Sequence, residues 1–192
     1  MLAVLDETSH EFPGGVAYVV AAVVLIAEEQ AAREALRAVV GERKRPFHWH
    51  REGPTARAGA VAAIINLGAV GHVAAKYPTG RKRQEDARAL ALGEVVPRLR
   101  ADGASRLLIE SRGEREDQRD RITMLKILER DEHVGEFAYE WRPKSDPVLW
   151  IADALCSPSR EHLLETEYAH HWTCLQASNV VGEPIYVAST NA

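Results

Sequence analysis

Leu2-Ala3-Val4-Leu5-Asp6-Glu7-Thr8-Ser9 begins the sequence, and Leu107-Leu108-Ile109-Glu110 repeats its form much further along. In both stretches a short apolar run breaks at a carboxylate. Near-continuous apolar runs of this length suit strands covered on both faces, which occupy the centre of an α/β sheet. As parallel neighbours, such strands deliver Asp6 and Glu110 to one edge of the sheet. That edge, at the carboxyl ends of strands, is where open α/β sheets hold ligands.

Working outward, Pro13-Gly14-Gly15 reads as a tight turn, and Val16–Ile26 as a second strand antiparallel to Leu2–Leu5. Ala27–Val40 has helical spacing and stops at Gly41. Pro46-Phe47-His48-Trp49-His50 reads as a short aromatic strand or extended segment. Pro54 starts a helix that ends at Gly68, and Ala69–Lys76 is strand-like. Arg83–Arg100 reads as a helix kinked or ended by Pro97. After the Asp102-Gly103 turn comes the strand ending at Glu110. Asp117–Arg130 reads as a helix with Ile122, Leu125, Ile127 and Leu128 on or near one face. Phe137–Trp141 is expected as an edge strand, followed by a helical stretch from Pro147 and a last helix over Glu161–Leu175. The alternation is that of an α/β fold.

The chain of 192 residues, 46% hydrophobic and 27% charged, has enough apolar content for one domain with a buried core. Its net charge of −4 argues against a surface coated in basic residues for nucleic acid. Positive charge is clumped, however, in Glu42-Arg43-Lys44-Arg45, in Gly80-Arg81-Lys82-Arg83 and through Arg112, Arg115, Arg119 and Arg121. Solvated loops and helix faces account for such runs, and so does a basic rim around an acidic pocket. The apolar Val16–Ala27 run is too short to span a bilayer, so no membrane association is expected. Nothing before Asp6 reads as a signal peptide, and Cys156 and Cys174 are expected as reduced thiols in a cytoplasmic protein.

A third carboxylate, Asp153, lies within Val148-Leu149-Trp150-Ile151-Ala152-Asp153-Ala154-Leu155. Burying a charge among apolar residues demands a partner. Singly, Asp6 can begin a turn, Glu110 can pair with an arginine, and Asp153 can cap or bridge a helix. Together, three acids without a basic partner repel one another and acquire raised pKa values. Mg²⁺ or Mn²⁺ relieves that repulsion, because hard cations take carboxylate oxygens. Neutralising Asp6 or Asp153 in such a pocket is expected to leave the metal-free protein as stable as before, or more so. Two such ions set about 3.5–4 Å apart stabilise the attacking and leaving oxygens of phosphodiester cleavage.

Leu5-Asp6-Glu7-Thr8, Tyr18-Val19-Val20-Ala21-Ala22-Val23-Val24, Leu108-Ile109-Glu110 and Trp150-Ile151-Ala152-Asp153-Ala154-Leu155 resemble, in order and spacing, motifs of domain-of-unknown-function family 3800. Members of that family look like RNase H-like domains. The resemblance implies one RNase H-like domain over residues 1–192, with a central mixed sheet flanked by helices. It implies Asp6, Glu110 and Asp153 as catalytic, metal-binding acids. In place of the glycine common soon after the first acid motif stands Thr8-Ser9-His10-Glu11. A fourth acid of the kind RNase H-like sites use is looked for at Glu52 or Glu7.

Glu7, His48, His50 and Arg112 are the candidates for substrate contacts. His48 and His50, at i and i+2, share one side of a strand. With no Cys or third His nearby they fall short of a four-ligand zinc site, so one of them is expected to line the acidic pocket. His170 and His171, adjacent on a helix, are expected to point apart. Phosphate-loop and dinucleotide motifs are lacking. The expected activity is that of an Mg²⁺- or Mn²⁺-dependent nuclease acting on RNA or DNA. The alternative is a non-catalytic interaction module of the same fold.

Overall fold

The computed structural model describes residues 1–41, 45–131, 135–166 and 169–188. Most of the Glu42–Arg45 basic knot lies outside the described residues. The fold is α/β, with a six-stranded mixed central sheet flanked by helices. Strand order is β5-β4-β1-β2-β3-β6.

β1 (Leu2–Phe12) and β2 (Gly15–Leu25) form the antiparallel hairpin. The turn depends on Gly15, whose φ of +139° lies outside the range of most side chains. A Cβ there would also come within 2.8 Å of the Thr79 carbonyl oxygen. β3 (Val70–Thr79) runs antiparallel to β2, and β4 (Arg106–Glu110) runs parallel to β1 in the register Leu5↔Ile109. Asp6 and Glu110 therefore stand side by side where the β1–β4 pairing ends, but Asp6 is not at a strand tip as the sequence suggested: β1 runs past Leu5 to Phe12, paired with β2 throughout. β5 (Ala138–Arg142) pairs with β4 and forms one sheet edge.

Alternation along the strands sends Val4, Val19, Ala21, Val23 and Leu108 to one face. There they pack with Leu36 of α1 (Glu29–Val40), Ile64 of α2 (Pro54–Asn66) and Leu155 of α5 (Trp150–Leu163). Leu5, Val20, Ala22, Leu107 and Ile109 take the other face, against Leu92, Val95 and Leu99 of α3 (Gln84–Ala101) and Met124 of α4 (Glu114–Arg130).

The structure departs from the expected elements at five further places. Residues 46–50 are not a strand: Trp49–Arg51 is a 3-10 turn, and the Trp49 amide donates to Asp153 instead of to a sheet. α3 runs through Pro97 to Ala101. Ala91, Leu92, Val95, Val96 and Leu99 are buried along it, and that burial outweighs the roughly 3 kcal/mol of an interior proline. α4 turns Asp120 and Met124 inward, leaving Ile122 and Leu125 48% and 52% exposed. Its orientation follows the ion pairs of Asp120 rather than the apolar count. The expected last helix is divided: α5 ends at Leu163, Glu165 has a φ of 52°, and α6 (His170–Ala177) follows. Finally, β6 (Ile185–Tyr186) adds parallel to β3. Among the described residues no helix is long and apolar enough to cross a membrane.

Candidate carboxylate site

Asp6, Glu110 and Asp153 all belong to the face of the sheet covered by α5. Asp6 follows Val4 by two on β1, and Glu110 follows Leu108 by two on β4. Asp153 lies in the first turn of α5, which packs on β1 and β2.

Asp6 is only 5% exposed. Its Oδ1 accepts from the Glu7 amide at 2.7 Å. Burial pushes its carboxyl well above the usual range; the carboxylates of Asp153, Glu110 and Glu7 push the same way, and Lys144 opposes them. Glu110 is also raised by burial, against the pull of Lys144.

Asp153 behaves differently. Burial would raise it, but the His48 ring and the Trp49 amide hold it below the ordinary carboxylate range. Trp49 N donates to Oδ2 at 3.0 Å, His48 Nδ1 lies 3.4 Å from the same oxygen, and Ser157 Oγ donates to Oδ1 at 3.1 Å. Asp153 is thus supplied with the partners its burial requires.

The acids were expected to lack a basic partner, and here the structure corrects the sequence. Lys144 Nζ donates to Glu110 Oε1 at 3.0 Å. Burial would lower its ammonium, yet Asp6, Glu110 and Asp153 together raise it. The Lys144 carbonyl accepts from Trp150 Nε1 at 2.9 Å, which ties the loop to the start of α5.

The substrate candidates separate. His48 sits against Asp153. His50 points past it, its Nδ1 3.3 Å from Arg160 Nη2. Desolvation, followed by the Arg160 guanidinium, pushes His50 down to about 4. The two rings lie 5.8 Å apart at 87° on the 3-10 turn, not side by side on a strand.

Glu7 alternates to the opposite face. There it pairs with Arg88 and, at 3.3 Å, with Arg112. Arg112 also holds Glu85 at 2.8 Å and Asp120 at 3.1 Å, so its charge is absorbed in a network behind the site. Glu52 is buried and ion-paired with Arg45 at 3.0 Å. The His170 and His171 rings do not point apart: their centroids are 3.9 Å from each other.

Sequence reasoning missed Lys144, Ser157, Thr8 and Arg160. Ser157 stands one helical turn beyond Asp153 and Arg160 two turns beyond, so helical spacing carried that signal. Lys144 carried none, being brought in by the connection from β5 to α5.

Among the described residues no group of three or more His, Cys, Asp or Glu side chains is already arranged to hold a metal ion. The chemistry of the donor set nevertheless fits a hard divalent cation, because buried Asp6 and half-buried Glu110 both favour compensation by positive charge. Lys144 supplies that charge here. Comparison with protein-family models and with curated proteins finds no match.

Proposed function

We propose that the protein is a metal-dependent phosphodiesterase of RNase H-like type, acting on nucleic acid, with Asp6, Glu110 and Asp153 as its catalytic carboxylates. The observation that carries this reading is the buried Asp6 carboxyl, raised by burial and by the facing charges of Asp153 and Glu110, beside the carboxyl end of β4. The six-stranded mixed sheet is the architecture the resemblance implies.

Asp6, Glu110 and Asp153 would hold Mg²⁺ or Mn²⁺. The chemistry supplied by such an ion when bound is activation of the attacking water and neutralisation of charge on the leaving oxygen. The chain's own residues prepare the site for it. Asp6 would ligate as the carboxylate, the form its burial disfavours, and Glu110 Oε1 would be open to the ion once it is no longer held by Lys144. Asp153, fixed by Trp49, His48 and Ser157, stays ionised and oriented throughout. The free thiols of Cys156 and Cys174 support a reducing, cytoplasmic setting.

One observation favours a second reading, a non-catalytic interaction module: the Lys144–Glu110 pair already compensates the acids. The deciding experiment incubates the protein with single-stranded RNA, single-stranded DNA and an RNA–DNA hybrid, with Mg²⁺ or Mn²⁺. Cleavage by wild type that Asp6→Asn abolishes supports the enzyme. Absence of cleavage with every substrate and ion supports the module.

A further inference from the structure

Beyond Asp153, α5 carries Arg160 back over β1. Its Nη1 donates to Thr8 Oγ1 at 3.2 Å, and its Nη2 lies 3.3 Å from His50 Nδ1. Both partners are uncharged, since His50 stays neutral down to about pH 4. Among the described residues no carboxylate lies within ion-pair distance of Arg160. That sets it apart from Arg88, Arg100, Arg106 and Arg112, each of which holds an acid. The guanidinium is half-buried and oriented by two neutral acceptors. Thr8 follows Asp6 by two residues on β1, so the cation sits on the same face as the acids.

A fixed guanidinium with no carboxylate partner among the described residues, bordering a cluster of acids, has the chemistry of a phosphate contact. We propose that Arg160, oriented by Thr8 and His50, binds a phosphate group of the nucleic-acid backbone next to the one that is cleaved. This rests on the phosphodiesterase reading for its substrate class. It assigns the backbone contact to α5 rather than to the Arg112 segment, whose leading arginine is occupied.

The test measures binding of a fluorescently labelled single-stranded DNA oligonucleotide by anisotropy in EDTA, where no metal-dependent step enters. Wild type, Asp6→Asn, Arg160→Gln and Thr8→Val are compared across a salt series, with inorganic phosphate as competitor. Arg160→Gln is expected to bind about ten- to a hundredfold more weakly, the range of a lost charge-assisted hydrogen bond. Its plot of log affinity against log salt is expected to flatten by about 0.7, one phosphate contact on a single strand. Thr8→Val keeps the charge but frees the side chain, and is expected to weaken binding several-fold. It decides the matter if Arg160→Gln does not fold. Asp6→Asn binds at least as tightly as wild type.

Wild type that does not bind, or an Arg160→Gln or Thr8→Val protein that binds with unchanged affinity and salt slope, overturns the proposal. Cleavage with Mn²⁺ is scored separately. Arg160-dependent binding without cleavage leaves the phosphate site standing and removes the enzyme, whereas cleavage with Arg160-independent binding does the reverse.

Discussion

The Lys144 ammonium lies 3.0 Å from Glu110 Oε1, on the face that also carries Asp6 and Asp153. A cation from the connection after β5 thus offsets carboxylates contributed by β1, β4 and α5. One ammonium offsets only part of the charge of three carboxylates, and Asp6 stays raised by burial and by its acidic neighbours.

Removing this cation is expected to weaken the metal-free protein. The ammonium is raised in the folded state, so its stabilisation is full at neutral pH and lost only as pH rises through its alkaline folded value. It remains partly solvated, so Lys144→Met is expected to cost about 1 kcal/mol or less at pH 7. Mn²⁺ is then expected to raise the melting temperature of Lys144→Met more than that of wild type, because the competing ammonium is gone. Thermal melts with and without Mn²⁺ check both outcomes.

Asp6 titrates in the opposite sense from most paired acids. Its folded value lies above the ordinary 3.8, so its stabilisation is full below that value and is lost as pH rises through the folded value. Asp6→Asn retains an oxygen for the Glu7 amide and sheds the charge. At pH 7 the metal-free variant is expected to equal wild type or exceed it by about 1 kcal/mol. Urea melts from pH 4 to 8 should show this advantage growing with pH.

Asp153 calls for the reverse expectation, and the structure revises the sequence reading here. Its folded value is lowered, so its stabilisation is full above the unfolded carboxylate value and is lost as pH falls through the folded one. Asp153→Asn places an amide where Trp49, His48 and Ser157 meet two acceptor oxygens. A loss of about 1–3 kcal/mol at pH 7 is expected. In the same urea series the deficit should stay constant from pH 8 to 4, and it should shrink only in melts taken below the ordinary carboxylate value of 3.8.

Behind the site, Arg88 and Asp120 are joined by contacts of 2.7–3.0 Å, with both side chains almost wholly buried. Arg88→Met leaves buried Asp120 and Glu7 to share Arg112 as their remaining cation, and is expected to cost about 3 kcal/mol. Arg88→Met with Asp120→Leu removes both charges and is expected to recover a large part of that loss. Equilibrium unfolding of the single and double variants measures the difference.

The local pattern of the chain sufficed for the presence of five of the six strands and for the neighbouring places of Asp6 and Glu110. Apolar runs ending at Asp6 and Glu110 have the character of buried parallel strands, and Pro13-Gly14-Gly15 closes the hairpin, because burial on both faces and turn chemistry are local properties. Asp153 stood out because a lone carboxylate in an apolar helix needs a partner.

The identity of the partners was a different matter. Strand alternation separates Asp6 from Glu7, but only the packing of α3 and α4 shows that Glu7 meets Arg88 and Arg112 behind the sheet. Residues 46–50 have the composition of a strand, and the chain is extended at His48, but at Trp49, whose amide bonds to distant Asp153, it enters the 3-10 turn Trp49–Arg51. Lys144 has no motif at all. Local sequence sets periodicity and burial, whereas the compensation of a buried charge depends on which distant segment the completed fold brings within 3–4 Å of it.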